Sequence, residues 1–192
     1  TVEESELESF IPHLESGKLM SCGCMRYAAE LDEARDEVSK YGDIPLIRAA
    51  ILNDWEKYGV HMIDAVFNLI SARPVAVTAV KASHDSMAIE MDNGSLLQVD
   101  ALGKIGRVFH LDIFGRKKNS HHDLIDNFSM FRQTLQRFMK MVETGEPQIP
   151  YTNTVPSEEW DGRRCSRSSV ASQQLEGEPA GDWDGRSGIS AA

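Results

Sequence analysis

Long apolar runs are missing from this sequence: none approaches the roughly 18 residues that a membrane-spanning helix needs. Positive charge is scarce too. Across 192 residues, 20 Lys+Arg face 30 Asp+Glu, a formal net charge of −10. That balance argues against a nucleic-acid backbone or an anionic membrane surface as partner, because both attract basic patches. Cysteine occurs three times, a small odd number that does not suit a disulfide framework and fits a reducing compartment. The opening residues Thr1-Val2-Glu3-Glu4-Ser5-Glu6 are acidic, opposite in sign to the start of a secretory signal peptide. The phosphate loop G-x-G-x-x-G is absent as well. Its nearest fragment, Gly103-Lys104-Ile105-Gly106, lies between strand-like runs rather than between a strand and a helix. These absences leave the expectation of a soluble, cytoplasmic domain with no nucleic-acid and no membrane partner.

What is present is ordinary for a globular domain: 41% hydrophobic and 26% charged residues. Helix formers fill Val2 to Glu15, with Leu7, Phe10, Ile11 and Leu14 at helical spacing before Ser16-Gly17. Lys18 to Cys24 reads as a short buried strand, and Ala28 to Lys40 as a second helix ending at Tyr41-Gly42. Ile44 to Leu52 is a strand with Pro45 at its start, since proline cannot donate to a ladder. Trp55 to Ser71 is an amphipathic helix. Strand-like runs follow at Val75 to Ser83, Ser86 to Met91, Ser95 to Leu102 and Arg107 to Phe114, with Asp92-Asn93-Gly94 as a hairpin turn. The strongest periodic signal is the last helix, about Asp123 to Glu143. There Leu124, Phe128, Phe131, Leu135, Phe138 and Val142 recur 4, 3, 4, 3 and 4 apart.

The run Asp54-Trp55-Glu56-Lys57-Tyr58-Gly59-Val60-His61-Met62-Ile63-Asp64 resembles a helix of the glucose–fructose oxidoreductase/inositol dehydrogenase (Gfo/Idh/MocA) family. Cys24-Met25-Arg26-Tyr27 is similar to the Arg-Tyr that follows the last strand of that family's dinucleotide domain. Phe131, Leu135 and Phe138, then Thr144-Gly145-Glu146-Pro147-Gln148-Ile149-Pro150, resemble its long helix and Thr-Gly-x-Pro-x-Pro exit. The resemblance spans about residues 1–155. It implies an α+β fold: an open, mostly antiparallel sheet with helices on one face, preceded by a helix-strand remnant of a Rossmann domain. Residues 1–40 would be that remnant with a linking helix, 41–156 the substrate and oligomerisation domain, and 157–192 a polar tail. The family's catalytic lysine would align just before Thr1. NAD or NADP belongs to intact relatives, so the resemblance implies a truncated member that binds no cofactor alone and cannot transfer hydride alone.

His61 matches the family's catalytic histidine, although Lys57 stands where the family usually has Asp, four residues earlier. Tyr58 and Asp64 are each three residues from His61 and can group with it on neighbouring turns. Asp64 would fix the imidazole tautomer, making His61 an acid/base for a hydroxyl proton. Arg26, Tyr27 and Trp55 would face a small sugar-like or polyol ligand, Trp55 by stacking. The plainer reading makes His61 a satisfied helix histidine, Arg26 a snorkelling arginine, and Tyr27 and Trp55 packing residues.

Two rival functions stay open. One is a non-catalytic binding or assembly module. The other is a metal-dependent hydrolase built on His110, Asp112, His121, His122 and Asp123. Against it, His121-His122-Asp123 is expected to open the long helix, where neighbours diverge by roughly 100° and cap rather than chelate. No metal ligand is therefore assigned. Cys22 and Cys24 read as small core residues, Cys165 as an exposed thiol, and Arg116-Lys117-Lys118 as a solvated turn. Neither parity of the sheet strands is wholly polar, so a homodimer through the sheet face is expected, with Trp160 and Trp183 of the tail as competing cover.

Overall fold

Alternation of apolar residues becomes a six-stranded sheet in the computed structural model, which describes residues 4–150. The strands are β1 (Leu46–Ile51), β2 (Pro74–Val80), β3 (Asp85–Met91), β4 (Leu96–Ala101), β5 (Phe109–Phe114) and β6 (Asn119–Asp123). Their order is β2-β3-β4-β1-β5-β6. β1 and β4 run parallel, and every other neighbouring pair is antiparallel. The Asp92-Asn93-Gly94 turn joins β3 to β4 as the sequence predicts. Gly94 takes φ 83° there, a conformation that costs glycine nothing.

The register decides which residues share a face. Ile89, Leu97, Ile47 and Ile113 lie in one cross-strand row, and Val99, Ala49 and Leu111 in another. All of them are buried. Helix α3 (Trp55–Phe67) lies over this side, contributing Met62, Ala65 and Val66 to the same core. Asp54 caps it by accepting the Lys57 N–H at 3.0 Å. A 3-10 turn, Cys24–Tyr27, packs against both α3 and helix α4 (Asn127–Thr144). Helix α1 (Glu4–Glu15) leads into it, and the short α2 (Asp32–Asp36) follows. The mixed α+β architecture with an open, mostly antiparallel sheet is thus the one expected. Among the described residues no helix is long and apolar enough to cross a membrane.

Several local expectations are corrected. Lys18 to Cys24 forms no strand. It passes along α3, where the Asp64 carboxylate captures the Gly23 N–H that a sheet partner would otherwise need. The helix expected over Ala28 to Lys40 divides into a 3-10 turn at Ala29–Leu31, α2, and a further 3-10 turn at Val38–Tyr41. Arg35 donates back to the carbonyls of Arg26 and Ala28 and holds that stretch in tight turns.

His121-His122-Asp123 belongs to β6, an edge strand, and not to a helix. Glu30 Oε1 accepts the N–H groups of Ile125 and Asp126 there, and α4 starts only at Asn127 with Asp126 as its cap. The basic turn is only partly solvated. Lys118 bridges Glu33 and Glu37, each at 3.0 Å, beside the Tyr41 ring. These partners push its ammonium pKa upward. The tail readings, including Trp160, Cys165 and Trp183, lie outside the described residues.

Candidate functional site

The 3-10 turn and α3 meet through a polar clamp. Arg26 is 3% exposed. Its Nε donates to Asp64 Oδ1 at 3.0 Å, its second guanidinium arm lies 2.8 Å from the same oxygen, and its third donates to Asn68 Oδ1 at 3.2 Å. Asn68 returns a bond to the Arg26 carbonyl at 2.8 Å. Asp64 Oδ2 accepts the Gly23 N–H at 2.7 Å. A buried cation is tolerable only when paired and hydrogen-bonded in this way. Asp64 and Asn68 stand one helical turn apart, so α3 presents both to the same guanidinium.

His61 sits beside this clamp rather than within it. The expected Asp64–His61 hydrogen bond is not formed; Asp64 Oδ1 accepts from Arg26 and Oδ2 from Gly23 instead. His61 Nδ1 is buried without a hydrogen-bond partner among the described residues. It lies against Gly23: a Cβ added there would stand 3.0 Å from that nitrogen. Tyr58 meets the imidazole edge-on, ring centroids 5.9 Å apart, and tilts toward Phe109 on its other side. Trp55 folds back over Gly59, whose missing Cβ leaves room for the indole. Tyr27 is half-buried under the Arg137 guanidinium, 5.9 Å from its ring centre.

Burial, reinforced by the negative charge of Asp64, pushes the Cys22 thiol up to about 11, and burial also raises Cys24. Both are therefore thiols rather than thiolates near neutrality, which makes them poor nucleophiles.

Of the six residues expected at the site, His61, Tyr58, Asp64 and Arg26 are brought together. Trp55 and Tyr27 flank them on α3 and the 3-10 turn. Sequence reasoning missed Gly23 and Asn68. The Asp64-to-Asn68 spacing of four was the legible signal for the second; for Gly23 there was none.

A second polar group lies on the opposite face of the sheet, which no helix among the described residues covers. Asp100 on β4 is 3% exposed. It accepts from Arg48 Nε at 3.2 Å, His84 Nε2 at 3.1 Å and Gln98 Nε2 at 3.3 Å. Desolvation pushes its pKa up, but hydrogen bonds from Ser86, His84, Gln98 and Arg48 outweigh that and hold it below the usual carboxylate range. Further along the face, His121 Nδ1 bonds Asp112 Oδ1 at 2.6 Å, which raises the imidazole pKa.

No family model and no curated protein sequence matches the chain. Solved structures do match it in fold. A myo-inositol 2-dehydrogenase from Lactobacillus plantarum superposes with TM-score 0.64 at 14% identity, over 79% of this chain and 63% of that one. A myo-inositol dehydrogenase from Corynebacterium glutamicum gives TM-score 0.56 at 12% identity, over 68% and 56%. A UDP-N-acetylglucosamine 3-dehydrogenase from Acidithiobacillus ferrooxidans gives 0.55 at 14% identity, over 77% and 60%. The chain therefore spans about three-fifths of the length of these dehydrogenases, and at this identity the likeness is one of fold. The resemblance read from the sequence holds at that level: this is the fold of the inositol and sugar dehydrogenases of the Gfo/Idh/MocA type.

Proposed function

We propose that the chain is a sugar- or polyol-binding domain of the dehydrogenase type, with His61 meeting a ligand hydroxyl. The observation that carries this reading is His61 beside the Arg26–Asp64–Asn68 clamp, with Nδ1 shut in against Gly23 without a partner, which leaves Nε2 as the nitrogen that would meet a ligand. Buried side-chain nitrogens are normally hydrogen-bonded, and exceptions call for an explanation such as a functional role. Here the clamp rigidly sets Gly23 and α3 around the imidazole. His61 is the proton donor or acceptor; Asp64 and Arg26 position it through the backbone instead of touching it. Tyr58 fixes the ring plane, while Trp55 and Tyr27 offer apolar faces to a ring-shaped polyol.

The residues present do not fit a dinucleotide. The parallel strand β1 leads into α3, the place where a pyrophosphate would rest on a helix N-terminus in a dinucleotide fold. That N-terminus is already occupied by the Asp54 carboxylate, and no glycine loop precedes it. On this reading residues 4–150 supply the polyol contacts and not the dinucleotide site. Calorimetry with myo-inositol and with NADH on the full chain tests the proposal. Saturable inositol binding, weakened at least tenfold by His61→Ala with the circular dichroism spectrum unchanged, is the expected result. A one-site NADH isotherm at sub-millimolar concentration overturns the cofactor half of the reading, and inositol binding indifferent to His61→Ala overturns the site.

The uncovered sheet face supports a second element of the proposal, a homodimer. Phe114 on β5 and Val80 on β2 are exposed on this face, which no helix among the described residues covers. A two-fold contact would bury them against their own copies. Light scattering at increasing concentration should give twice the chain mass, and Phe114→Asp should return it to the monomer.

A further inference from the structure

The geometry points to a divalent-metal site of zinc type at the rim of the uncovered face, with His110, His121 and Asp123 as ligands and Asp112 as the residue that orients His121. Because Asn119–Asp123 is a strand and not a helix, its alternate residues project together: His121 stands directly across from Asp112 and Asp123 directly across from His110. One ligand atom from each of His110, His121 and Asp123 lies within 4.8 Å of the other two.

The hydrogen bonding sorts these groups into roles. His121 Nδ1 bonds the Asp112 carboxylate at 2.6 Å, leaving Nε2 as the outward-facing nitrogen. That arrangement, a carboxylate holding the far nitrogen of an imidazole, is how metal-ligating histidines are commonly oriented. Nε2 is 3.4 Å from Asp123 Oδ1, longer than a good hydrogen bond. It matches instead the separation of about 3.3 Å between two ligands of a tetrahedral ion with bonds of about 2.0 Å. His110 stacks at an angle on His121, ring centroids 5.1 Å apart, and its imidazole makes no hydrogen bond among the described residues.

Charge also favours a cation. Asp112 and Asp123 supply two negative charges at the cluster. Arg48 lies across from Asp112 on β1 but its guanidinium is engaged by Asp100 at 3.2 Å, and Arg107 is engaged by the Ile125 carbonyl and Asn127. Two imidazoles and one carboxylate suit a borderline ion such as Zn2+ or Co2+ more than Mg2+ or Ca2+, which prefer all-oxygen shells. Three protein ligands leave a fourth position open to water. The alternative is a purely electrostatic cluster in which a charged His121 bridges the two aspartates.

Titration of the full chain with ZnCl2 by calorimetry, and with CoCl2 by visible absorption, separates the two. A metal site predicts one equivalent bound, a tetrahedral cobalt spectrum, and a melting temperature raised by zinc. His121→Gln and Asp123→Asn should abolish saturable binding, and Asp112→Asn should weaken it about 10- to 100-fold as an orienting residue does. Each variant's metal-free melting curve reports whether its fold is intact. Cys22→Ala/Cys24→Ala, which leaves the cluster untouched, should bind like the unaltered chain. Absence of saturable binding of either metal overturns the proposal. So does binding that survives His121→Gln, or binding lost with the cysteines.

Discussion

Helices α3 and α4 carry apolar residues at the same three-and-four spacing, and the tertiary structure treats them in opposite ways. In α3 one flank is consumed: Met62, Ala65 and Val66 are fully buried against β1 and β4, of its large apolar residues only Val60 stays exposed, at 53%, and the helix's polar flank is locked by Arg26. In α4 the periodic residues Phe128, Phe131, Leu135, Phe138 and Val142 are 44–77% exposed. What anchors α4 is a different flank, Met130 and Met141. The stronger amphipathic pattern thus belongs to the more exposed helix. Periodicity reports that a helix has an apolar side, and is silent on whether the chain itself supplies anything to set against it.

Substitutions can break or sharpen this contrast. The largest effect is expected at the clamp of α3. Arg26→Ala removes the ion-pair partner of Asp64, whose side chain is only 14% exposed, and should destabilise the fold by about 3 kcal/mol, measured by urea unfolding. A loss under 1 kcal/mol would show that the clamp is not what holds the 3-10 turn to α3. Next comes the buried stripe itself. Met62→Ala opens a cavity in the core and should cost about 2–5 kcal/mol, read as a fall in thermal midpoint.

A smaller change tests how α4 ends. Gly145 adopts φ 70° as the helix stops, with open space where a Cβ would go. Gly145→Ala should therefore cost about 1–2 kcal/mol from backbone conformation alone, and amide exchange should quicken in the last turn of α4 before anywhere in α3. The smallest effect belongs to the exposed stripe. Phe131→Ser should change monomer stability by no more than about 0.5 kcal/mol. A loss comparable to that of Met62→Ala would mean that something covers α4 in solution. Pairing that substitution with Phe114→Asp in light scattering tells which apolar surface, helix or sheet face, brings copies together.

The same contrast explains what was legible before the structure. Five of the six strands announced themselves: Ile44 to Leu52 as an apolar run, and four more because Val77, Ile89, Leu97, Val99, Leu111 and Ile113 fall at alternate positions and face one core. β6 did not, because Asn119-Ser120-His121-His122-Asp123 is polar throughout and is a strand only by pairing with β5. The Lys18–Cys24 run was misread for the converse reason. It is apolar enough for a strand, but its Gly23 amide finds a side-chain acceptor on α3. At the site, helical spacing correctly grouped Tyr58, His61 and Asp64. It did not reveal that Asp64 would choose Arg26, 38 residues away, over His61, three away.

By itself, then, the sequence determined the elements whose partner is implied by their own periodicity: the alternating strands, the Asn-Gly hairpin, the amphipathic α3, and the acidic character that disfavours polyanion partners. Tertiary structure alone decided the matters that depend on competition between distant groups. It settled which acceptor the Gly23 amide and the Arg26 guanidinium would take, and whether the α4 stripe would be covered. It also turned His121 and Asp123 outward together along an edge strand. Local pattern sets what a segment can bury or donate. Which of several available partners it meets is a property of chain topology, because pairing energies of similar size are chosen between only when the remainder of the fold has brought one partner within reach.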